Sequence, residues 1–421
     1  MYQSMLTKLC IFISLCALSP FGHASVSDQE FAELKSNLLA LSARVSMLEA
    51  ENTALKADSP KALITSTNHA PKKIIETLSQ KPKENIKWKG DFRYRYEGIQ
   101  VENKDDRSRN RIRARIALIA QLKDNVEVGF GLASGGDDPV STNQSLGDAA
   151  SSKDARLDLA YFKWQANPNL TVVAGKFKNI WVRPDKNELV WDSDYNPEGF
   201  GLTYKANKLF INTALNWLQS DSKKANTRFS WGLQAGIATK IGGGKLTSGI
   251  AYYDIPVEKR GVFIGDADEF SGNSFTCVDP TALVDCTYSN NFEEVQVFAE
   301  YKTKLNGMPL TLFGDYVKNL AADKFDTAWA TGIKLGKASG RGTWDMAYRY
   351  QSLEADSLFG LTTNSDFGGG GTDSLGHVIK GSFAMNKQWK LGFTYLDTKR
   401  NGDLGSEEDY QRIQIDTKFK F

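Results

Sequence analysis

The chain has 421 residues, of which 11% are aromatic, and it contains 36 glycines but only 11 prolines. Its formal net charge of +2 gives no bulk excess of charge that would point to a nucleic-acid partner. The mean hydropathy of −0.39 argues against a helical membrane protein, but a β-barrel can be this polar because half of each strand faces water.

Residues 1–24 have the pattern of an export signal. Lys8 precedes an apolar run at 9–18, and Gly22 and Ala24 occupy the small-residue positions of a cleavage site. The run is shorter than the roughly 20 residues that a membrane-spanning helix needs. We therefore predict cleavage before Ser25. A lipoprotein anchored through Cys16 is the alternative, although the preceding leucine is large for that signal.

Residues 25–57 are predicted to form a coiled coil, because apolar residues recur at alternating spacings of three and four from Phe31 to Leu55. Asn52 is a single polar residue in this seam and is of the type that fixes the register and the number of chains. The segment predicts a homo-oligomer, with a lone amphipathic helix as the alternative. Residues 58–87 are rich in Lys, Ser and Pro and are predicted to be a linker.

Residues 88–421 consist of alternating polar and apolar segments separated by turn signals, which is the pattern of β-strands. We predict sixteen strands, at 88–102, 110–122, 125–134, 156–165, 169–178, 199–206, 208–219, 228–240, 245–255, 292–304, 308–319, 327–336, 341–354, 377–386, 388–398 and 409–421.

The predicted connections alternate in length. Short turns follow the even strands, and the long connections 135–155, 179–198, 256–291 and 355–376 follow odd strands. An even number of strands with short turns at one rim and long loops at the other is typical of bacterial outer-membrane barrels. The sequence therefore predicts an all-β fold, a sixteen-stranded antiparallel transmembrane barrel preceded by a short coiled coil in the periplasm.

The segment SRNRIRARIALIAQL, at 108–122, places an arginine at every second position and apolar residues between. In a barrel the apolar face contacts lipid, because an arginine there would cost about 2–4 kcal/mol at the bilayer midplane. The arginines should therefore line the lumen, together with basic residues of the first and last strands. The predicted pore wall is Arg93, Arg95, Arg111, Arg113, Arg115, Arg412 and Lys418. It either attracts anions, or it is neutralised by Asp and Glu opposite.

The connection at 179–198 is dense in charge. If it folds into the barrel, its acidic residues would face the basic wall and narrow the channel; an outward surface loop is the alternative. The predicted constriction residues are Arg183, Asp185, Lys186, Glu188, Asp192 and Asp194. Asp192, Asp194 and Asn196 resemble the start of a calcium loop, but Pro197 stands where glycine is needed, so we predict no metal site here. We also predict no cofactor.

Cys277 and Cys286 lie close in sequence in a polar, turn-rich stretch. For an exported chain we predict a disulfide between them, with two free thiols as the alternative.

The segment GKFKNIWVRPDKNELVWDSDYNPEGFGLTY, at 175–204, resembles the putative porin family of Gram-negative bacteria, in which a barrel follows an N-terminal coiled coil. FRYRYE at 92–97 and RNRIRARIAL at 109–118 are similar to the opening strands of that family. The resemblance implies an outer-membrane pore, trimeric like other sixteen-stranded porins. The terminal Phe421 resembles the signal that is read by the barrel assembly machinery.

An enzyme is the first competing interpretation, because some outer-membrane barrels have histidine-dependent active sites. The only histidines outside the export signal are His69, in the linker, and His377, at the start of a strand without a catalytic neighbourhood. A structural tether between the outer membrane and the cell wall is the second alternative. The sequence favours a non-enzymatic channel for passive diffusion of small hydrophilic solutes, with a mild preference for anions.

Overall fold

The computed structural model describes residues 85–421 and, in isolation, Met47. The predicted export signal, all of the predicted coiled coil at 25–57 except Met47, and nearly all of the linker lie outside the described residues. Within the described part, no helix is long and apolar enough to cross a membrane.

The described chain consists of sixteen long strands and the connections between them. The strands are β1 Ile86–Val101, β2 Arg107–Gln121, β3 Val126–Ser134, β4 Ala155–Asn167, β5 Leu170–Lys176, β6 Glu198–Ala206, β7 Leu209–Asp221, β8 Lys224–Ile241, β9 Gly244–Ile255, β10 Phe292–Leu305, β11 Met308–Asn319, β12 Thr327–Gly336, β13 Trp344–Leu353, β14 Ser374–Ala384, β15 Trp389–Arg400 and β16 Glu408–Lys420. Two-residue strands at 144–145, 275–276 and 287–288 lie in the connections.

The sixteen strands close into an antiparallel barrel, because each pairs with the next and β16 pairs with β1. The closing register places Arg95 opposite Asp416 and Arg93 opposite Lys418. At the end of this seam, Gly90 and Phe421 exchange backbone hydrogen bonds of 2.9 and 3.1 Å. A Cβ atom at Gly90 would lie 2.4 Å from the Phe421 ring and 2.8 Å from the backbone carbonyl oxygen of Arg115, so the close packing of this seam favours glycine.

Alternation along the strands separates an apolar outer face from a polar inner face. On β1 the side chains of Phe92, Tyr94 and Tyr96 are exposed, whereas Arg93 and Arg95 are only 7% and 4% exposed. Because successive side chains of a strand point to opposite faces, the arginines point into the barrel and the aromatic rings point out.

The two rims differ as the sequence predicts. The even strands are followed by short connections, including two-residue turns at 168–169, 207–208, 242–243 and 306–307. The long connections 135–154, 177–197, 256–291 and 354–373 all lie at the opposite rim. These are called below the short-turn rim and the long-loop rim.

One predicted connection is shorter in the structure. The loop expected at 220–227 is a tight hairpin, because β7 runs to Asp221 and β8 begins at Lys224. Register shifts after Trp217 and after Gln219 allow the paired strands to continue beyond the main sheet. The sequence predicts a loop here because the residues of this segment are polar and do not alternate with apolar ones as in a strand.

The long loops occupy much of the barrel interior. Leu189, Trp191, Phe270 and Phe359 come from three different loops, and all are at most 3% exposed. They form one hydrophobic cluster with inward residues of the wall such as Tyr253. The core of the molecule is therefore made of loops packed against one side of the barrel.

Candidate functional site

The predicted basic wall lies on three neighbouring strands that face the lumen. On β1 and β2, Arg93 is directly opposite Arg113, and Arg95 is directly opposite Arg111. Arg412 and Lys418 face the same way on β16, which pairs with the other edge of β1. Arg115 is the next inward residue of β2, so the structure brings all seven predicted wall residues together.

Carboxylates from the same strands lie among these cations. Asp416 accepts two hydrogen bonds from the Arg95 guanidinium, at 2.7 and 3.0 Å. Asp91 accepts from both Arg113 and Arg115 at 2.8 Å. The two parallel hydrogen bonds between Arg95 and Asp416 make this ion pair stronger than one held by a single hydrogen bond. Much of the positive charge of the wall is therefore neutralised locally.

Connection 177–197 crosses the interior of the barrel. The side chain of Gln234 on β8 bonds to the backbone of Val182, and Asn187 donates to Asp315 on β11 at 2.9 Å. On the far side, Asp194 contacts Arg115 on β2 at 2.8 Å. The connection is thus fixed to the inner wall at widely separated strands.

Asp194 attaches this connection to the arginine row, which consists of the inward arginines Arg111, Arg113 and Arg115 of β2. It lies 2.8 Å from Arg115 and 3.5 Å from Arg113, and it also accepts a hydrogen bond from Thr142. Burial raises the pKa of Asp194, but Arg113 and Arg115 outweigh this effect and hold the pKa below its ordinary value. Asp194 is therefore an anionic link between loop and wall.

Asp192 and Glu188 face a different partner, the connection 354–373. Asp192 accepts from the backbone of Ser365, and Glu188 accepts from the side chain of Asn364. Burial, with the neighbouring charges of Glu188 and Asp194, raises the pKa of Asp192 well above its ordinary value. These two acids join the two inward loops to each other rather than to the basic wall.

The remaining predicted constriction residues are dispersed. Arg183 donates to the carbonyl of Trp191 at 2.6 Å, within its own loop. The backbone N–H of Asp185 donates to Glu300 on β10, and Lys186 is exposed. Of the six charged residues, only Asp194 touches the arginine row.

The connection 354–373 is a second inward loop, which the sequence did not single out. Asp366 lies 3.1 Å from Arg95 and 2.6 Å from Arg412, both of which are almost fully buried. Burial raises the pKa of Asp366, but the two guanidinium groups lower it far more, so the net pKa lies well below the ordinary value. Asp194 and Asp366 therefore attach two different loops to one arginine arc, which consists of Arg412 on β16, Arg93 and Arg95 on β1, and Arg111, Arg113 and Arg115 on β2.

The sequence profile of the family described as Putative porin matches residues 95–259 and 273–419 of this chain, well over half of its length. The chain belongs to this family. The match extends far beyond the segments 92–97, 109–118 and 175–204, which carry the resemblance in the sequence. No curated protein sequence matches this porin.

Solved structures with the same architecture include OprB of Pseudomonas putida, in a structure at high pH. It has 13% identity and a TM-score of 0.55, over 80% of this porin and 94% of that chain. A loop L8 deletion mutant of OmpT, an outer membrane protein of Vibrio cholerae, has 10% identity and a TM-score of 0.49 over 80% and 100% of the chains. A mutant of the porin of Rhodopseudomonas blastica has 13% identity and a TM-score of 0.48 over the same shares. At these identities the first comparison shows the fold alone.

At the long-loop rim of the porin, a cavity of about 600 Å³ opens between the loops. Its lining combines carboxylates, including Asp137, Asp138 and Asp158, with the apolar side chains of Phe263 and Leu361. The cavity extends as far as Asp194, so it leads from the long-loop rim toward the arginine row.

A disulfide joins Cys277 and Cys286 in the connection 256–291 of the porin. Between the two cysteines, Val278 is 82% exposed, and Asp279 and Val284 form an isolated bridge. All residues of this crosslinked tip from Val278 to Asp285 are exposed, whereas the arginines of the charged site are largely buried.

Sequence reasoning left open whether carboxylates neutralise the wall, and it missed the second loop. Asp416 alternates with Arg412 and Lys418 on the last strand, and Asp91 alternates with Arg93 and Arg95 on the first, so the period-two pattern places both acids on the lumen face. Asp366 had no comparable signal, because its connection is rich in glycine and indicates only turns. Its contact with Arg95 spans 271 positions of sequence.

Proposed function

We propose that this porin forms a water-filled channel through the outer membrane for passive diffusion of small hydrophilic solutes, with a mild preference for anions. The observation that carries the proposal is the closed ring of sixteen strands with an apolar outer face and an ionic inner face. In an aqueous protein the outer face would expose a continuous belt of aromatic and aliphatic side chains to water, at a large cost in free energy.

The same features support a location in the outer membrane. Transmembrane barrels carry apolar bands on the outside and polar side chains within, and they have short periplasmic turns and long external loops. On this basis the short-turn rim faces the periplasm, as would the predicted N-terminal coiled coil. Acyl chains of the membrane lipids would surround Phe92, Ile116 and Ile415, all of which are exposed on the outer face.

The two inward loops support a constriction near the middle of the barrel. Loop 177–197 and loop 354–373 contact each other and are held on opposite sides of the arginine arc, through Asp194 and Asp366. Such contacts fix the width of the remaining passage. A narrow passage between low-dielectric walls concentrates the field of its charges, and this would give selectivity among small ions.

The anion preference rests on wall cations that have no carboxylate within hydrogen-bond distance among the described residues. Arg93 binds only the side chain of Asn143, and the Nε atom of Arg349 is buried without a hydrogen bond among the described residues. Lys380 lies 4.0 Å from Glu188. Because most other cations of the wall are paired, we propose a mild preference rather than a strict one.

We also propose a homo-oligomer, a trimer, on the basis of the predicted coiled coil and the family resemblance. The alternative role as a tether to the cell wall depends on the same segment, which lies outside the described residues. Recognition of Phe421 by the barrel assembly machinery stays a prediction.

The proposed function is tested by the reversal potential of the purified full chain in planar lipid bilayers under a tenfold gradient of KCl. We expect channels whose reversal potential corresponds to a chloride permeability modestly above that of potassium. A preference for potassium would contradict the anion preference, and the absence of any conductance would contradict the channel itself.

A further inference from the structure

A set of lysines lines the lumen side of the barrel wall near the short-turn rim. Each of these lysines is an even number of positions away from buried inward residues of its own strand. Because side chains of a strand alternate between its two faces, each lysine therefore points into the lumen. We call this set the lysine collar; it consists of Lys240, Lys245, Lys302, Lys334, Lys390 and Lys418.

Three members of the collar are directly opposite each other on neighbouring strands. Lys240 pairs with Lys245, and Lys245 pairs with Lys302, so one row of positive charge runs across β8, β9 and β10. Like charges at directly opposite positions of a sheet are destabilising. All three side chains are exposed, and among the described carboxylates only Glu300, on the same strand as Lys302, contacts one of them.

A second row of positive charge joins the collar to the arginine arc. Lys390 pairs with Lys418, which pairs with Arg93, which in turn pairs with Arg113. This register places four cations side by side on β15, β16, β1 and β2. Arg93 is 7% exposed, and its Nε atom is buried without a hydrogen-bond partner among the described residues. An orphan donor of this kind suits an anion that is not part of the chain.

The collar is less neutralised than the arginine arc. In the part of the chain that the structure describes, Lys240, Lys245, Lys334 and Lys390 have no carboxylate within 4.0 Å, whereas Lys302 and Lys418 each have one. Asp345 on β13 is a nearby carboxylate, but one of its oxygens accepts from the backbone N–H of Ala338. Lys390 itself donates to the carbonyl of Ala338.

The long-loop rim is acidic, whereas the short-turn rim is basic. Connection 354–373 contains four acidic residues and neither Lys nor Arg; the acidic residues are Glu354, Asp356, Asp366 and Asp373. At the short-turn rim, the connection 337–343 contains only the basic residues Lys337 and Arg341 among its charged residues. The charge of the channel is therefore polarised along its axis, and a field of this kind acts on ions over about a Debye length, roughly 8–10 Å at moderate salt.

We propose that the lysine collar is an anion-binding site at the periplasmic mouth, which takes solutes with several negative charges, such as polyphosphates and polycarboxylates. The row of lysines lies on adjacent strands, which are about 4.8 Å apart, and it matches several charges on one extended anion better than a single chloride. Binding would be strongest from the periplasmic side and would make conduction asymmetric. The inference rests on the proposed channel function and adds to it the place and the class of the recognised solute.

The test is block of single-channel current by tripolyphosphate, added to either side of a bilayer that contains the full chain in 0.1 M KCl. Biotin on a Ser222→Cys variant allows streptavidin to mark the long-loop side. We expect block from the short-turn side at a concentration at least about tenfold lower than from the other side, because several lysines act together on one anion.

The decisive variant is Lys240→Gln/Lys245→Gln/Lys334→Gln, which breaks no ion pair within 4.0 Å among the described residues. The matched control, Lys223→Gln/Lys224→Gln/Lys324→Gln, removes the same charge from exposed positions at the long-loop rim. We expect the first variant to lose the asymmetry and the control to keep it. A conducting channel with symmetric block, or with asymmetric block that survives in the first variant, would overturn the collar and leave the channel function standing. Absence of conductance in every protein would overturn both.

Discussion

At the scale of single residues, buried ion pairs decide how the interior is arranged. Asp366 touches Arg95 and Arg412, each with a side chain only 5% exposed. Removing one member of such a group leaves buried charge without its partner, which costs more than the intact contact contributes. The carboxylates that hold the loops are therefore more sensitive positions than the exposed charges of the same loops.

We predict that Asp366→Asn lowers the free energy of unfolding by about 3 kcal/mol, because two buried guanidinium groups lose an anionic partner. The pKa of Asp366 in the folded protein lies below its ordinary value of 3.8, so its stabilising effect is fully present above that pH and is lost only as the pH falls well below it. Urea titrations in lipid vesicles at pH 8 and pH 5 should therefore give the same difference between variant and wild type.

The matched control for this experiment is Asp323→Asn, an exposed position in connection 320–326. It should change the free energy of unfolding by less than about 0.5 kcal/mol. A loss of equal size in both variants would mean that the contacts of Asp366 contribute nothing specific.

At the scale of elements, strand positions follow from local pattern, whereas loop paths do not. The period-two alternation of apolar and polar residues predicted all sixteen strands, and turn residues such as Asn306 and Gly307 predicted where hairpins reverse. The path of connection 354–373 depends on Asp366 meeting Arg95 and on Asn273 meeting its backbone. Both contacts join residues far apart in sequence, so no local signal could predict them.

Asn273 joins the connection 256–291 to the connection 354–373. Its side-chain NH₂ donates to the carbonyls of Ala355 and Leu358 at 2.7 and 2.8 Å, and its oxygen accepts from the backbone N–H of Gly360 at 2.9 Å. Asn273 is 1% exposed, so water cannot replace these bonds.

We predict that Asn273→Ala separates the two loops while the barrel remains intact. Each buried polar group left unsatisfied costs about 1–3 kcal/mol, so the loops should be cleaved by protease at least about tenfold faster than in the wild type. Thr281→Ala, at an exposed position of the crosslinked tip, is the control and should not change the cleavage rate. Equal resistance of Asn273→Ala and wild type would show that other contacts hold the loops together.

At the scale of the whole molecule, the account depends on which face of the barrel meets lipid and which meets water. Phe393 and Thr394 are adjacent on β15; Phe393 is 42% exposed on the outer face, and Thr394 pairs with the inward Gln414. The most direct measurement is the accessibility of spin labels on Phe393→Cys and Thr394→Cys in lipid vesicles, with oxygen as the apolar relaxing agent and a nickel chelate as the water-soluble one. The account predicts that oxygen relaxes the label at 393 more strongly and that the nickel chelate relaxes the label at 394 more strongly. Equal accessibility at the two positions, or the reverse order, would contradict a barrel with a lipid-facing outside and a water-filled lumen.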